Sequence, residues 1–144
     1  MTYREIHLDN FQEIVPLYMH YYNTWENGQW TADTARKRIH QVVSREDAFG
    51  LIAMEDGVPV GFAVGNFFQY DDGVTYDLNE IVIAKEFQGQ GRGTQLIREL
   101  AARAKEKGAF LMQLESVNDE MHAHFYHKCG FYDANNLIPR AMLL

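Results

Sequence analysis

Gly89, Gly91 and Gly93 fall within five positions of the run Gln88-Gly89-Gln90-Gly91-Arg92-Gly93. A β-rich apolar stretch precedes the run (residues 78–83) and a strongly helical one follows it (94–107). Glycine lets the backbone come close to a ligand and leaves amide N–H groups uncovered. A helix starting at that point adds its own unpaired N–H groups and the positive end of its dipole. The combination forms a diphosphate site, to which Gln88 and Arg92 can add side-chain donors. Other nucleotide motifs fail here: a dinucleotide G-x-G-x-x-G needs glycine where Thr94 stands, and no Gly-Lys-Ser/Thr of a P-loop is present. Lys85 reads as a solvated surface charge.

Residues 81–93, with Gln88, Gly91 and Gly93 forming Q-x-x-G-x-G on a strand-to-helix turn, resemble the acetyl-CoA-binding signature of the GCN5-related N-acetyltransferases. Asn118, Ala123, Phe125-Tyr126 and Gly130-Phe131 resemble that family's N…A…FY…GF pattern, one helix and one strand downstream. The resemblance covers roughly residues 74–144; the N-terminal half matches in element order alone. It implies acetyl-CoA as donor, held by Ile81, Ile83, Gln88, Gly89, Gln90, Gly91, Arg92, Gly93, Thr94, Asn118 and Tyr126. It also implies direct transfer to an amine in one ternary complex, and it is compatible with a homodimer.

Two residues are read as catalytic. Glu80 is the general base that takes a proton from the acceptor ammonium, since only the free amine is nucleophilic. Asp77 and Glu115 are its substitutes, and a strand-face ion pair is the plainer reading of Glu80. Tyr126 is the proton donor to the departing thiolate, against a plain packing role for the Phe125-Tyr126 pair. Backbone N–H groups along 81–83 polarise the thioester carbonyl. Tyr21, Tyr22, Trp25, Glu26 and Trp30 form an aromatic-acidic cluster between the first two helices. The resemblance places the acceptor there, with Tyr22, Trp25, Glu26, Trp30, Glu80 and Glu115 as contacts. Asn118 bonds the pantetheine, caps the following helix, or both. His122, His124, His127 and Cys129 invite a metal, but His122 and His124 cannot share a helix face, so no metal is expected. Cys129 reads as small packing filler.

The elements that must position these residues follow from periodicity and turn chemistry. Residues 3–8 form a first strand. Asp9 or Asn10 caps a helix to about Tyr22, with Phe11, Ile14, Val15 and Tyr18 at helical spacing. Thr31 caps a second helix to about Ser44. Residues 48–55 and 58–70 flank Asp56-Gly57 as a β-hairpin, and Asp71-Asp72-Gly73 turns into a third long strand, 74–83. The helix 91–107 buries Leu96, Ile97, Leu100, Ala101 and Ala104, with Glu99 and Arg103 as an i,i+4 pair and Gly108 as its left-handed cap. A strand follows at 110–117, then a short helix capped by Asp119 or Asn118 that runs to about Cys129 and ends at Gly130, and extended structure from Phe131 onward. The order β-α-α-β-β-β-α-β-α-β predicts an α/β (α+β) fold, a mixed, mostly antiparallel sheet flanked by helices.

At 144 residues the chain reads as one domain, 1–144, and its 47% hydrophobic content is that of a folded protein. A net charge of −7 argues against nucleic acid and suits a cationic acceptor. One cysteine excludes an intrachain disulfide, and no apolar run reaches the length of a spanning helix or a signal peptide. The expectation is a cytoplasmic protein without a membrane partner. The leading reading is an acetyl-CoA-dependent N-acetyltransferase of small cationic amines. The alternatives are a peptide or protein N-acetyltransferase and a non-catalytic acyl-CoA-binding sensor.

Overall fold

The computed structural model describes residues 1–144. Five strands form one sheet in the order β1-β2-β3-β4-β5: β1 (Thr2–Glu5), β2 (Ala48–Glu55), β3 (Val58–Tyr70), β4 (Gly73–Ile83) and β5 (Ala109–Leu114). The first four pair antiparallel, and β5 joins β4 in parallel. Helices α1 (Val15–Trp25) and α2 (Ala32–Val43) cover one face, with Ile14, Tyr18, Ile39 and Val42 packed on Ile52, Phe62 and Val82. On the other face, α3 (Arg92–Glu106) lays Leu96, Leu100 and Ala104 against Leu51, Val60 and Tyr76. A fourth helix, α4 (Glu120–Lys128), borders the end of β4.

Several local expectations hold. Thr31 caps α2 in a capping box with Thr34, and Asp56 (φ 49°) and Gly57 (φ 76°) make the β2–β3 turn. Glu99 and Arg103 pair at 2.8 Å, and Gly108 ends α3 at φ 104°.

Others are corrected. The first helix is split: Phe11–Ile14 form a 3-10 turn and α1 starts only at Val15. Pro16, which has no N–H, belongs in a first helical turn and not in a helix interior. Asn10 does not cap it; its side chain accepts from His7 N and donates to Glu5 O. No strand follows α4. Residues 131–144 stay outside the sheet, with short turn contacts at 133–137. Asn135-Asn136 favours a turn and Pro139 withholds a ladder donor, so β5 remains an open edge.

Candidate functional site

The glycine run follows β4 through Ala84 and a 3-10 turn at Lys85–Phe87. Gly89 and Gly91 take φ +78° and +82°, and a Cβ on either would meet open space. Gly91 immediately precedes α3, whose first intrahelical bond runs from Gln95 N to Gly91 O at 3.0 Å. From residue 89 to residue 94 no backbone N–H donates to another backbone group. These donors converge at a helix start, the arrangement that receives anions. Gly93 serves packing instead: a Cβ there would lie 3.1 Å from Phe125 Cζ, so α3 and α4 approach closely through it.

Gln88 and Arg92 line the cavity beside the loop and also brace it. Gln88 Nε2 donates to Ile83 O at 2.8 Å. Arg92 Nε donates to Glu55 Oε2 at 2.8 Å, its Nη1 reaches Gln90 Oε1, and its guanidinium lies 5.1 Å over the Phe87 ring. Gln88 and Arg92 thus hold the loop in shape, and the main-chain N–H groups of residues 89–94 are left without backbone partners.

Beside the loop the sheet opens. Strand β5 pairs with β4 only between Val74 and Leu78, so the next part of β4 and the segment after Leu114 separate. A cavity of about 610 Å³ fills the gap, with Ile81 and Ile83 on one wall, Glu115 and Ser116 opposite, and Phe125 and Tyr126 closing it from α4. Parting strands leave β4 main-chain groups without a sheet partner, facing the cavity.

Tyr126 meets Phe125 and Phe131 edge-on, at 5.0 and 5.6 Å. Burial, with Cys129 adding to it, pushes its phenol above the ordinary tyrosine range and keeps it protonated. Glu80 lines the same cavity with its side chain only 11% exposed. Arg38 Nε donates to Glu80 Oε1 at 2.8 Å, and Tyr18 Oη donates to the same oxygen at 3.1 Å. Burial alone would lower Arg38, but its bond and charge contact with Glu80 outweigh burial and hold the guanidinium above its usual value. Burial and the nearby Glu80 charge also raise Tyr22, which faces the cavity as a neutral phenol with Tyr21 and Glu26.

Not every expected residue arrives. Trp30 packs on Tyr18 at 5.2 Å in the α1–α2 core, and Trp25 is an exposed ring under Lys85 Nζ. Gln90 and Asn118 do not line the cavity; of the two candidate caps of α4, Asp119 takes the role, accepting from His122 N at 2.8 Å. Asp77 accepts from Gln113 Nε2 at 2.8 Å and is engaged away from the site. Asp71 and Asp72 sit at the β3–β4 turn, so Glu26, Glu80 and Glu115 are the carboxylates on the cavity wall. No group of three His, Cys, Asp or Glu side chains comes together; His122 pairs with Asp119 and His127 with Asp133. Sequence reasoning missed Arg38, Tyr18 and Asn79. The first two are linked to Glu80 across 42 and 62 residues, separations that no local signal spans.

Residues 5–131 match the sequence model of the acetyltransferase (GNAT) family. An uncharacterized N-acetyltransferase of Methanocaldococcus jannaschii is 24% identical over 135 residues, which are 90% of this chain and 60% of the relative. The chain therefore spans less than two thirds of that relative's length. A crystal structure of a probable acetyltransferase superposes with a TM-score of 0.82 at 19% identity, covering 100% of this chain and 98% of the other. The aminoglycoside N-acetyltransferase AAC(6')-Iy, in complex with CoA, gives a TM-score of 0.74 at 20% identity, with 98% and 93% covered. At these identities the two structures establish a common fold.

Proposed function

The chain belongs to the acetyltransferase (GNAT) family, and on that premise we propose that it transfers an acetyl group from acetyl-CoA to a primary amine of a small cationic molecule. The observation that carries this reading is the unpaired run of backbone N–H groups at residues 89–94, opening on a cavity that also holds Glu80 and Tyr126. The CoA bound to a protein of the same fold supports the donor.

In this reading the 89–94 main chain holds the diphosphate, and the gap between β4 and the segment after β5 receives the thioester arm. Main-chain N–H groups of the Ile81–Ile83 stretch polarise the carbonyl, preorganised because the strand is fixed by β3. Glu80 offers Oε2 to the acceptor ammonium, because both of its internal bonds fall on Oε1. It receives one proton directly or through water. The freed amine forms the N–C bond, the C–S bond breaks, and Tyr126 supplies a proton to the sulfur. The attacking nitrogen loses its second proton to restore the phenol. Holding amine and thioester together supplies much of the rate.

A thiol-release assay with acetyl-CoA and a panel of primary amines tests the proposal. The expected result is amine-dependent release of CoA thiol with a matching acetylated product. Tight acetyl-CoA binding without release for any amine would favour the sensor reading instead.

A further inference from the structure

The pairing of β3 with β4 slips by one residue beside the site. Val64 faces Glu80 and Gly65 faces Leu78, so Asn79 is the extra residue of a β-bulge. A bulge breaks strict side-to-side alternation, and here it turns two neighbouring side chains to one face. Glu80 reaches Tyr18 of α1 and Arg38 of α2; Asn79 reaches Asn66, whose amide contacts Val42 of α2. Both Asn79 and Glu80 also line the cavity. Gly65 permits the irregularity, since a Cβ there would fall 1.9 Å from Asp77 O.

The orientation of Asn79 is fixed from below. Asn66 is 1% exposed, and its Nδ2 points at two acceptors, Asn79 Oδ1 at 3.1 Å and Val42 O at 3.5 Å. A backbone carbonyl accepts only, so it selects the Nδ2 end of Asn66. That end in turn selects the Oδ1 end of Asn79. The fold leaves Asn66 Oδ1 buried without a partner in doing so. Asn79 Nδ2 is then the end with no protein acceptor, on a residue that lines the cavity next to Glu80 in the strand.

Resting on the acetyl-transfer reading above, we propose that Asn79 is a specificity-determining residue whose Nδ2 donates to an oxygen close to the acceptor's amine, while Glu80 takes the ammonium. The acceptor class is a primary amine with a hydroxyl or carbonyl oxygen on the adjacent carbon, a 1,2-amino alcohol or an α-amino carbonyl compound. An alkyl amine of the same size would leave Nδ2 desolvated and unpaired, the situation in which a hydrogen-bonding site discriminates most. Asn66 is the positioning residue.

The test compares kcat/KM for matched amines, 2-aminoethanol with propylamine and glycinamide with butylamine, in the wild-type protein and in Asn79→Leu. The difference in basicity between amines cancels when the two proteins are compared. Wild type should favour the oxygenated member of each pair, and Asn79→Leu should reduce that preference by about 10-fold, the worth of one hydrogen bond. Asn79→Gln, which keeps the donor, should recover part of it. Acetyl-CoA affinity by calorimetry should stay unchanged throughout, which separates a folded variant from an unfolded one. An Asn79→Leu protein that keeps the wild-type ratio, or loses both members of each pair equally, overturns the assignment while acetyl transfer stands. Acetyl-CoA binding with no transfer to any amine overturns the transferase reading, and the assignment with it.

Discussion

Arg38 Nε lies 2.8 Å from Glu80 Oε1, an oxygen that also accepts the Tyr18 hydroxyl at 3.1 Å. One carboxylate thereby ties α1, α2 and β4 together beside the cavity. Because the two donors share Oε1, the arrangement aims Oε2 without occupying it. Arg38→Gln should leave acetyl-CoA affinity within about 2-fold and raise KM for the amine by about 10-fold, as expected for loss of a charge-assisted bond that orients a binding group. Steady-state kinetics alongside calorimetry with acetyl-CoA separate the two effects. An unchanged amine KM would make the pair purely structural.

Gly91→Asp tests the diphosphate site. Its Cβ would enter open space, and aspartate is among the residues that tolerate the left-handed conformation at φ +82°. The variant should therefore fold, yet bring a negative charge to the donors of residues 89–94. Acetyl-CoA affinity is expected to fall at least ~100-fold, from like-charge repulsion and a blocked main-chain approach. Native-like circular dichroism with unchanged affinity would remove the central claim.

Tyr126→Phe removes the phenolic proton and keeps the ring contacts with Phe125 and Phe131. Turnover should fall by ~10²-fold with acetyl-CoA affinity unchanged, the usual worth of a general acid. The pH dependence carries a sign. Burial raises the Tyr126 value above that of free tyrosine. The protonated donor therefore persists through the ordinary tyrosine range, and activity drains only as pH rises through the raised value. Tyr126→Phe should lose that alkaline limb. If kcat is unaffected while chemistry is rate-limiting, Tyr126 is a packing residue.

What was legible in the sequence is what local chemistry decides. Three alternate glycines at a strand-to-helix turn, the Thr31 cap and the Asp56-Gly57 turn each need only a few consecutive residues, and each forms as read. The site's polar wiring depends on contacts between distant elements. Arg92 meets Glu55 because the β2–β3 hairpin brings Glu55 under the loop, 37 residues away in sequence. The bulge at Asn79 is not located by a period-two pattern: two successive polar residues, Asn79 and Glu80, interrupt the alternation, but which residue is extra is set by the register with Val64 and Gly65. Residues 131–144 differ for the opposite reason: extended chain is expected after the Gly130 stop, but a strand must pair with an edge, and this segment does not join the β5 edge.

Asp119 gives a prediction at low pH. Hydrogen bonds from the His122 backbone N–H and ring, first in importance, lower its carboxyl below the usual aspartate value. Its contribution to folding is thus fully present above the unfolded-state value and is lost as pH falls through the depressed folded one. The start of α4 should fray first on acidification, seen as faster amide exchange at residues 120–123. Asp119→Asn retains a cap but no ionisable charge, so its exchange should be flatter with pH. Identical pH profiles in the two proteins would assign the anchoring of α4 elsewhere.

The charge of the cavity leads to the remaining prediction. Glu26, Glu80 and Glu115 line it, and the chain carries a net charge of −7. A cationic amine should be drawn in more readily than a neutral or anionic one, and added salt should erode that preference by screening. With Glu80 as the proton acceptor, kcat/KM for such an amine should rise with pH and flatten once carboxylate and acceptor are both in reactive form. Glu80→Gln deletes the negative charge and the proton acceptor but keeps a group that Arg38 and Tyr18 can still contact. Its rate should fall most where the acceptor is still protonated, and the deficit should narrow toward high pH, where free amine no longer needs a base. A wild-type pH–rate profile in Glu80→Gln would move the base to another group on the wall, with Glu115 next in line because Asp77 is held by Gln113. A screen in which anionic acceptors outperform cations at low salt would reject the electrostatic argument while leaving acetyl transfer intact.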